Sequence, residues 1–242
     1  MTKYGIIGNP LGHSFSKGFF TEKFAREGID AEYLNFQISE IGKLTEVLRE
    51  NPELRGINVT LPYKTEIIPF LDELSDEARE IGAVNVVQIR NGHLKGFNSD
   101  IIGFTRSIQP LLKPHHQKAL ILGTGGASRA IRVGLTRLGL EWKYVSRTPH
   151  EGMITYEDIT AETLREYEVI VNCSPVGMFP KVDGCPVIPY EFLTPDNLLY
   201  DLVYNPETTL FMKKGALQGA VVKNGLEMLH LQAIASWEFW NE

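Results

Sequence analysis

Apolar positions change their spacing along the chain, and the spacing predicts two stretches of different organisation. In the first, Lys3 to Gly8 is a short β-run, and Phe15, Phe19, Phe20 and Phe24 then recur at helical spacing. Glu32 to Gln37 predicts a second strand, Ile41 to Leu48 a helix and Gly56 to Thr60 a third strand. Pro62 stands where a helix can begin, because a first turn has no use for the missing N–H, and Lys64 would lie one turn in. Ser75, followed by Asp76 and Glu77, predicts a capped helix start. Ala83 to Ile89, the pair Asn91-Gly92 and His93 to Phe97 form the strongest hairpin signal in the chain.

The text changes after Pro110 to Lys118, which reads as a boundary with a solvated His115-His116 pair. Strands then alternate with helices. Ala119–Leu122, Lys143–Ser146, Val169–Cys173, Leu198–Val203 and Ala220–Val222 are strands, with helices over Ala127–Leu138 and near Ala161–Tyr167. Such alternation implies right-handed βαβ units and a parallel sheet. A last helix, about Gly225 to Trp240, carries Leu226, Leu229, Ala233, Trp237 and Trp240 on one stripe, expected to pack into a core.

Composition narrows the function classes. The 242 residues are long enough for one large or two compact domains, and 43% hydrophobic with 22% charged residues describes a folded globular chain. With 24 basic against 30 acidic residues the net charge is −6, which disfavours nucleic acid and anionic membrane as partners. No apolar run is long enough to span a bilayer, and the first one stops at Gly8-Asn9-Pro10, so a cytoplasmic protein is expected. Two cysteines and scattered histidines offer neither a disulfide framework nor a metal site.

Candidate chemistry begins at Ala119-Leu-Ile-Leu-Gly123-Thr-Gly125-Gly126-Ala-Ser-Arg, which is strand, glycine turn and helix in that order. Such a turn lets backbone N–H groups approach a pyrophosphate at the helix N-terminus, although Ser128 takes the third glycine position. Where an NAD site would place a carboxylate after the second strand, the chain has Ser146-Arg147-Thr148. A guanidinium there suits the 2′-phosphate of NADP. In the first stretch, Ser14 and Ser16 open a helix and could hold a carboxylate. Alternation places Asn58 and Thr60 on one side of a strand. Asn85, set among apolar neighbours, demands a partner. Asp100 reads either as a functional carboxylate or as a helix cap.

Taken in order, nine motifs resemble the shikimate dehydrogenase family over the whole length. They are Gly8-Asn-Pro-Leu-Gly-His-Ser14-Phe-Ser16, Asn58-Val-Thr-Leu-Pro-Tyr-Lys64, Gly82-Ala-Val-Asn85, Asn98-Ser-Asp100 with Gly103, Gly123 to Ala130, Ser146-Arg-Thr148, Asn172 to Met178, Tyr200 to Pro206 and Gly225 to Gln232. The resemblance implies an α/β chain with an N-terminal α/β substrate domain, a Rossmann-type doubly wound dinucleotide-binding domain and a cleft between them. Residues 1–104 with 225–242 would form the first and 105–224 the second.

The implied activity is reversible NADPH-dependent reduction of 3-dehydroshikimate to shikimate, in aromatic amino acid biosynthesis. Lys64 and Asp100 match the family's catalytic pair. Ser14 and Ser16, with help from Thr60 and Tyr204, would hold the substrate carboxylate, while Lys64, Asn85, Asp100 and Gln232 would surround its hydroxyls and reacting carbon, with Asn58 supporting. Gly123, Gly125, Gly126 and Ala127 match the pyrophosphate turn, and Ser146, Arg147 and Thr148 the adenosine phosphate site. Asn172, Ser174, Leu202, Gly225 and Met228 would line the ribose and nicotinamide. Lys17, Val86, Ser99 and Ser146 depart from residues common in the family. A monomer or homodimer working on small molecules is expected. The rival readings are a quinate or quinate/shikimate dehydrogenase, a non-catalytic sensor of NADP or a metabolite, and, more distantly, a methyltransferase.

Overall fold

A computed structural model describes residues 1–12 and 15–242. The chain divides into two compact units, Met1–Ser99 with Gln232–Glu242, and Asp100–Leu231.

The first unit is built on a six-stranded mixed sheet. Its strands are β1 (Thr2–Gly8), β2 (Ala31–Gln37), β3 (Leu54–Val59), β4 (Glu73–Leu74), β5 (Val86–Arg90) and β6 (His93–Phe97), in the order β2-β1-β3-β5-β6-β4. Side-chain alternation loads both faces. Ile7, Ile57, Val59 and Val87 enter one apolar cluster, and Tyr4, Ile6, Phe20, Tyr33, Val86 and Trp240 enter another. The aromatic helix is α1 (Phe15–Glu27), which buries Phe20 and Phe24. The hairpin turns at Asn91 (φ 51°) and Gly92 (φ 80°), the left-handed pair that a two-residue turn matching strand twist requires. Ser75 caps a short helix, Asp76–Ile81, by accepting from Ala78 N (3.1 Å).

The helix expected from Pro62 does not form. Residues 61–67 are turns, followed by a 3₁₀ segment Ile68–Phe70. The carbonyl of Lys64, which a helix would give to Ile68, instead accepts from Val84 N (2.7 Å), and Pro69 brings no N–H to extend a helix.

One close approach in this unit is sterically exacting. A Cβ on Gly56 would fall inside the Trp240 indole, whose Nε1 donates to Val87 O (3.1 Å) and cannot withdraw without losing that bond. Gly56→Ala is expected to cost about 3 kcal/mol through overpacking. At this chain length that lowers Tm by roughly 6–12 °C in a thermal melt.

The second unit carries an all-parallel six-stranded sheet of β7 (Lys118–Leu122), β8 (Glu141–Ser146), β9 (Ile154–Thr155), β10 (Val169–Asn172), β11 (Leu198–Asp201) and β12 (Val221–Lys223). Their order, β12-β11-β10-β7-β8-β9, is the doubly wound order read from its far edge. Leu120 and Leu122 enter one apolar cluster while Ala119 and Ile121 enter the other, as a sheet covered on both faces requires. The helix Asp100–Ile108 belongs to this unit because Phe104 and Ile108 pack with Ile131, Leu135 and Tyr200.

One further expectation needs correction. His116 is no solvated linker residue: it is buried, its Nδ1 accepts from Lys113 N (3.0 Å), and its Nε2 faces Asp196 O (2.9 Å). Burial holds its pKa below the ordinary value. In the last helix, Leu226–Asn241, Leu226 is exposed, and the buried side includes Gln232 and Ser236 beside Ala233, Ala235 and Trp240. Ala233 and Trp240 of the expected apolar stripe enter the aromatic core and Trp237 packs against it, while the polar Gln232 and Ser236 share the buried side.

Candidate active site and dinucleotide pocket

In the first unit three of the predicted substrate residues, Asn58, Asn85 and Gln232, meet in a buried polar network. Alternation along β3 sends Ile57 and Val59 into one core and Asn58 toward the aromatic face. There Asn58 Oδ1 accepts from Tyr33 Oη (2.7 Å), and its Nδ2 donates to Ser236 Oγ (3.0 Å). Asn85, just before β5, accepts through Oδ1 from Ser99 N (2.7 Å) and donates through Nδ2 to Ser99 Oγ (3.0 Å). Ser99 Oγ in turn reaches Gln232 Oε1 and Ser236 Oγ, each at 3.2 Å. Asn58, Asn85, Ser99, Gln232 and Ser236 are all buried, so an unmatched donor or acceptor among them would cost its full desolvation.

Tyr33, Ser99 and Ser236 are members that sequence reasoning missed as site residues. Burial pushes the Tyr33 hydroxyl well above its ordinary pKa, against the pull of a hydrogen bond from Ser16. The only signal for Ser99 was its place between Asn98 and Asp100. Ser16 is buried in the first turn of α1, whereas Ser14 lies outside the described residues.

Thr60 and Lys64 sit in the turn after β3, both partly buried. Thr60 N donates to Ile7 O (2.9 Å), and Tyr63 anchors the turn through its hydroxyl on Ile38 O (2.6 Å). The Lys64 backbone is thus fixed by bonds that do not involve its side chain. Asp100 is buried and is the first residue of the helix Asp100–Ile108. Tyr204 is exposed on the segment after β11.

In the second unit a pocket of about 1400 Å³ opens beyond the ends of β7, β8 and β10. This is the topological switch point, where the chain leaves β7 on one side and β10 on the other and doubly wound sheets bind ligands. Gly123 has φ +105°, a conformation closed to most side chains, and its N–H donates to Val145 O (3.0 Å). Gly125 precedes, and Gly126 and Ala127 begin, a twelve-residue helix, Gly126–Arg137. The positive helix end there suits a pyrophosphate. Ser128, in the third glycine position, is fully buried with its hydroxyl on Gly125 O (2.6 Å), so a small polar side chain fits where helix meets sheet.

Ser146, Arg147 and Thr148 border the same pocket, as do His150 and Ser174. Ser146 Oγ accepts from Thr148 N (3.3 Å) and shapes the turn that presents Arg147. Asp158 also borders the pocket, but its carboxylate caps a 3₁₀ turn, accepting from Thr155 N (2.7 Å) and Oγ1 (2.8 Å). The arrangement fits a dinucleotide with a phosphorylated adenosine ribose. Of the remaining expected lining residues, Asn172 is fully buried behind Ser174, and Met228 packs in the core with Tyr200. Gly225 meets the Leu202 backbone so closely that no Cβ fits between them. Asn172 bonds Asp201, whose carboxyl is raised by burial against three hydrogen-bond donors. Among the described residues no cluster of His, Cys, Asp and Glu could hold a metal ion, and no helix is long and apolar enough to cross a membrane.

Comparison with known proteins decides the family. The family profile of the shikimate dehydrogenase substrate binding domain matches residues 6–87. A shikimate dehydrogenase (NADP(+)) of Desulforamulus reducens is 34% identical, with 98% of this chain aligned to 88% of that protein. The chain belongs to the shikimate dehydrogenase family. Its fold agrees: the crystal structure of the Aquifex aeolicus shikimate dehydrogenase superposes with TM-score 0.89 at 35% identity, over 99% of this chain and 92% of the other. The Thermus thermophilus shikimate 5-dehydrogenase, solved in complex with NADP(H) and shikimate, gives TM-score 0.86 at 32% identity over 99% and 93%.

Proposed function

We infer that this chain is an NADP-dependent shikimate dehydrogenase, interconverting 3-dehydroshikimate and shikimate. The observation that carries the reading is Arg147 at the mouth of the switch-point pocket, in a chain whose relatives over nearly full length are NADP(+) enzymes of that name. NADPH supplies the hydride when bound, with Gly123, Gly125, Gly126 and Ala127 at its pyrophosphate and Arg147 and Thr148 at its 2′-phosphate.

The chain's own residues must do the rest. Hydride arriving at a ketone carbon leaves negative charge on oxygen, and the Lys64 ammonium supplies both a cation and a proton at that atom. Asp100 is assigned to orient the ammonium and accept from a substrate hydroxyl. Asn85 and Gln232, with Asn58 supporting, are assigned to the hydroxyls, their amide orientations already set by the buried network. Ser14, Ser16, Thr60 and Tyr204 are assigned to the carboxylate. Such prior orientation spares the binding step its ordering cost.

The assay that tests this follows NADPH absorbance with 3-dehydroshikimate, and in parallel quinate oxidation with NADP and NAD. Turnover of 3-dehydroshikimate with NADPH is expected. Preference for quinate with NAD would overturn the reading in favour of a quinate dehydrogenase, and saturable binding without turnover would return the chain to a sensor. A cytoplasmic enzyme, monomeric or homodimeric, is the accompanying expectation.

A further inference from the structure

A buried carboxylate with no part in the chemistry above lies directly behind the pocket. Asp201 ends β11 opposite Asn172 at the end of β10, and it is wholly inaccessible to solvent. Its Oδ1 accepts from Asn172 Nδ2 (2.9 Å) and Val203 N (3.0 Å), and its Oδ2 from Thr209 Oγ1 (2.6 Å). Asn172, held on its nitrogen side, presents Oδ1 to Ser174 N (3.1 Å) and Ser174 Oγ (2.6 Å). Ser174 borders the pocket with Cys173, Pro175 and Val176, and its backbone N runs 3.5 Å from where a Cβ on Gly123 would stand.

We propose that Asp201 is a positioning residue for cofactor binding, fixing the orientation of the Asn172 amide and through it the Ser174 segment of the dinucleotide pocket. The reason lies in the asymmetry of an amide. Asn172 could face β11 with either end, and only one choice gives Ser174 N–H an acceptor. Both carboxylate oxygens act as acceptors, so the group admits the NH₂ end alone and excludes the flipped amide, whose oxygen would oppose Oδ1. Thr209 and Val203 bond the carboxylate from its other sides, which holds it against turning. A neutral residue would cost less to bury at that depth. What the carboxylate adds is the directionality passed to Ser174.

The inference rests on the pocket being the NADP site, and the test separates the two. NADPH binding is measured by fluorescence titration in wild type, Asp201→Ala, Asp201→Asn and Thr209→Val, with the folded fraction of each taken from circular dichroism. Asp201→Ala is expected to weaken NADPH about tenfold while KM for 3-dehydroshikimate stays within about twofold. Asp201→Asn keeps one oxygen for Asn172 and Val203 and an NH₂ for Thr209, so it should recover affinity to within about threefold. Should Asp201→Ala not fold, Thr209→Val carries the test, with an expected loss of about threefold as the carboxylate is freed on one side. Wild-type affinity in folded Asp201→Ala, or in Thr209→Val where the alanine variant is unfolded, overturns the proposal even if Tm falls, since that pattern marks a purely structural role. Wild-type protein that fails to bind NADPH would instead overturn the reading of the pocket.

Discussion

Lys64→Ala is expected to lower kcat for reduction of 3-dehydroshikimate by about 10³ while KM changes little. An ammonium at the carbonyl oxygen interacts weakly with the neutral ketone and strongly with the developing alkoxide, so its loss falls on the transition state. Removal of a general acid or of a donor to an oxyanion each costs on the order of 10²–10⁴, and here one group supplies both. A 10³ loss corresponds to about 4 kcal/mol of transition-state stabilisation. The fold should survive, because the turn is held by the Lys64 carbonyl on Val84 N and by Tyr63 on Ile38 O, neither of which needs the lysine side chain. Steady-state kinetics with circular dichroism on the same sample checks this, and near-normal kcat in folded protein would remove Lys64 from the chemistry.

Arg147→Asp is expected to reduce kcat/KM with NADPH by about 10³ and to leave NADH use unchanged or improved. The substitution deletes charge-assisted hydrogen bonds to a doubly charged phosphate, each contributing roughly 1.5–3 kcal/mol, and sets a like charge against it. A carboxylate at that strand end can also accept from a free ribose 2′-hydroxyl, as NAD sites do. The turn itself should persist, since Ser146 Oγ holds Thr148 N and the Arg147 side chain is exposed. Parallel assays with NADPH and NADH on wild type and variant read the outcome directly. Wild-type preference for NADH would sink the assignment of Arg147 before any variant is made.

Local signals account for most of what was legible beforehand. The Asn91-Gly92 hairpin, the Ser75 cap, the alternating strands and helices of the second unit and the glycine turn at Gly123 each depend on a few adjacent residues, and each appears where local chemistry places it. The helix expected at Pro62 failed for a non-local reason: Val84, twenty residues on in sequence, takes the Lys64 carbonyl. The two-residue strands Glu73–Leu74 and Ile154–Thr155 carry no periodic signal and exist only as added edges to neighbours already in place. In the last helix the burial of Gln232 and Ser236 likewise depends on partners at Ser99 and Asn58 that hydropathy does not register.

By itself the sequence determined the change from mixed to alternating strands and helices, the glycine turn with Arg147 after its second strand, and membership of the shikimate dehydrogenase family, because each is written in neighbouring residues or in ordered motifs. Only the tertiary structure decided which polar side chains meet. Asn58, Asn85, Ser99, Gln232 and Ser236 are joined across as many as 178 positions, and Asp201 reaches Asn172 across 29. Those pairings follow from strand register and from the demand that a buried donor or acceptor find its match, conditions that act across the folded chain and leave no mark on its local pattern.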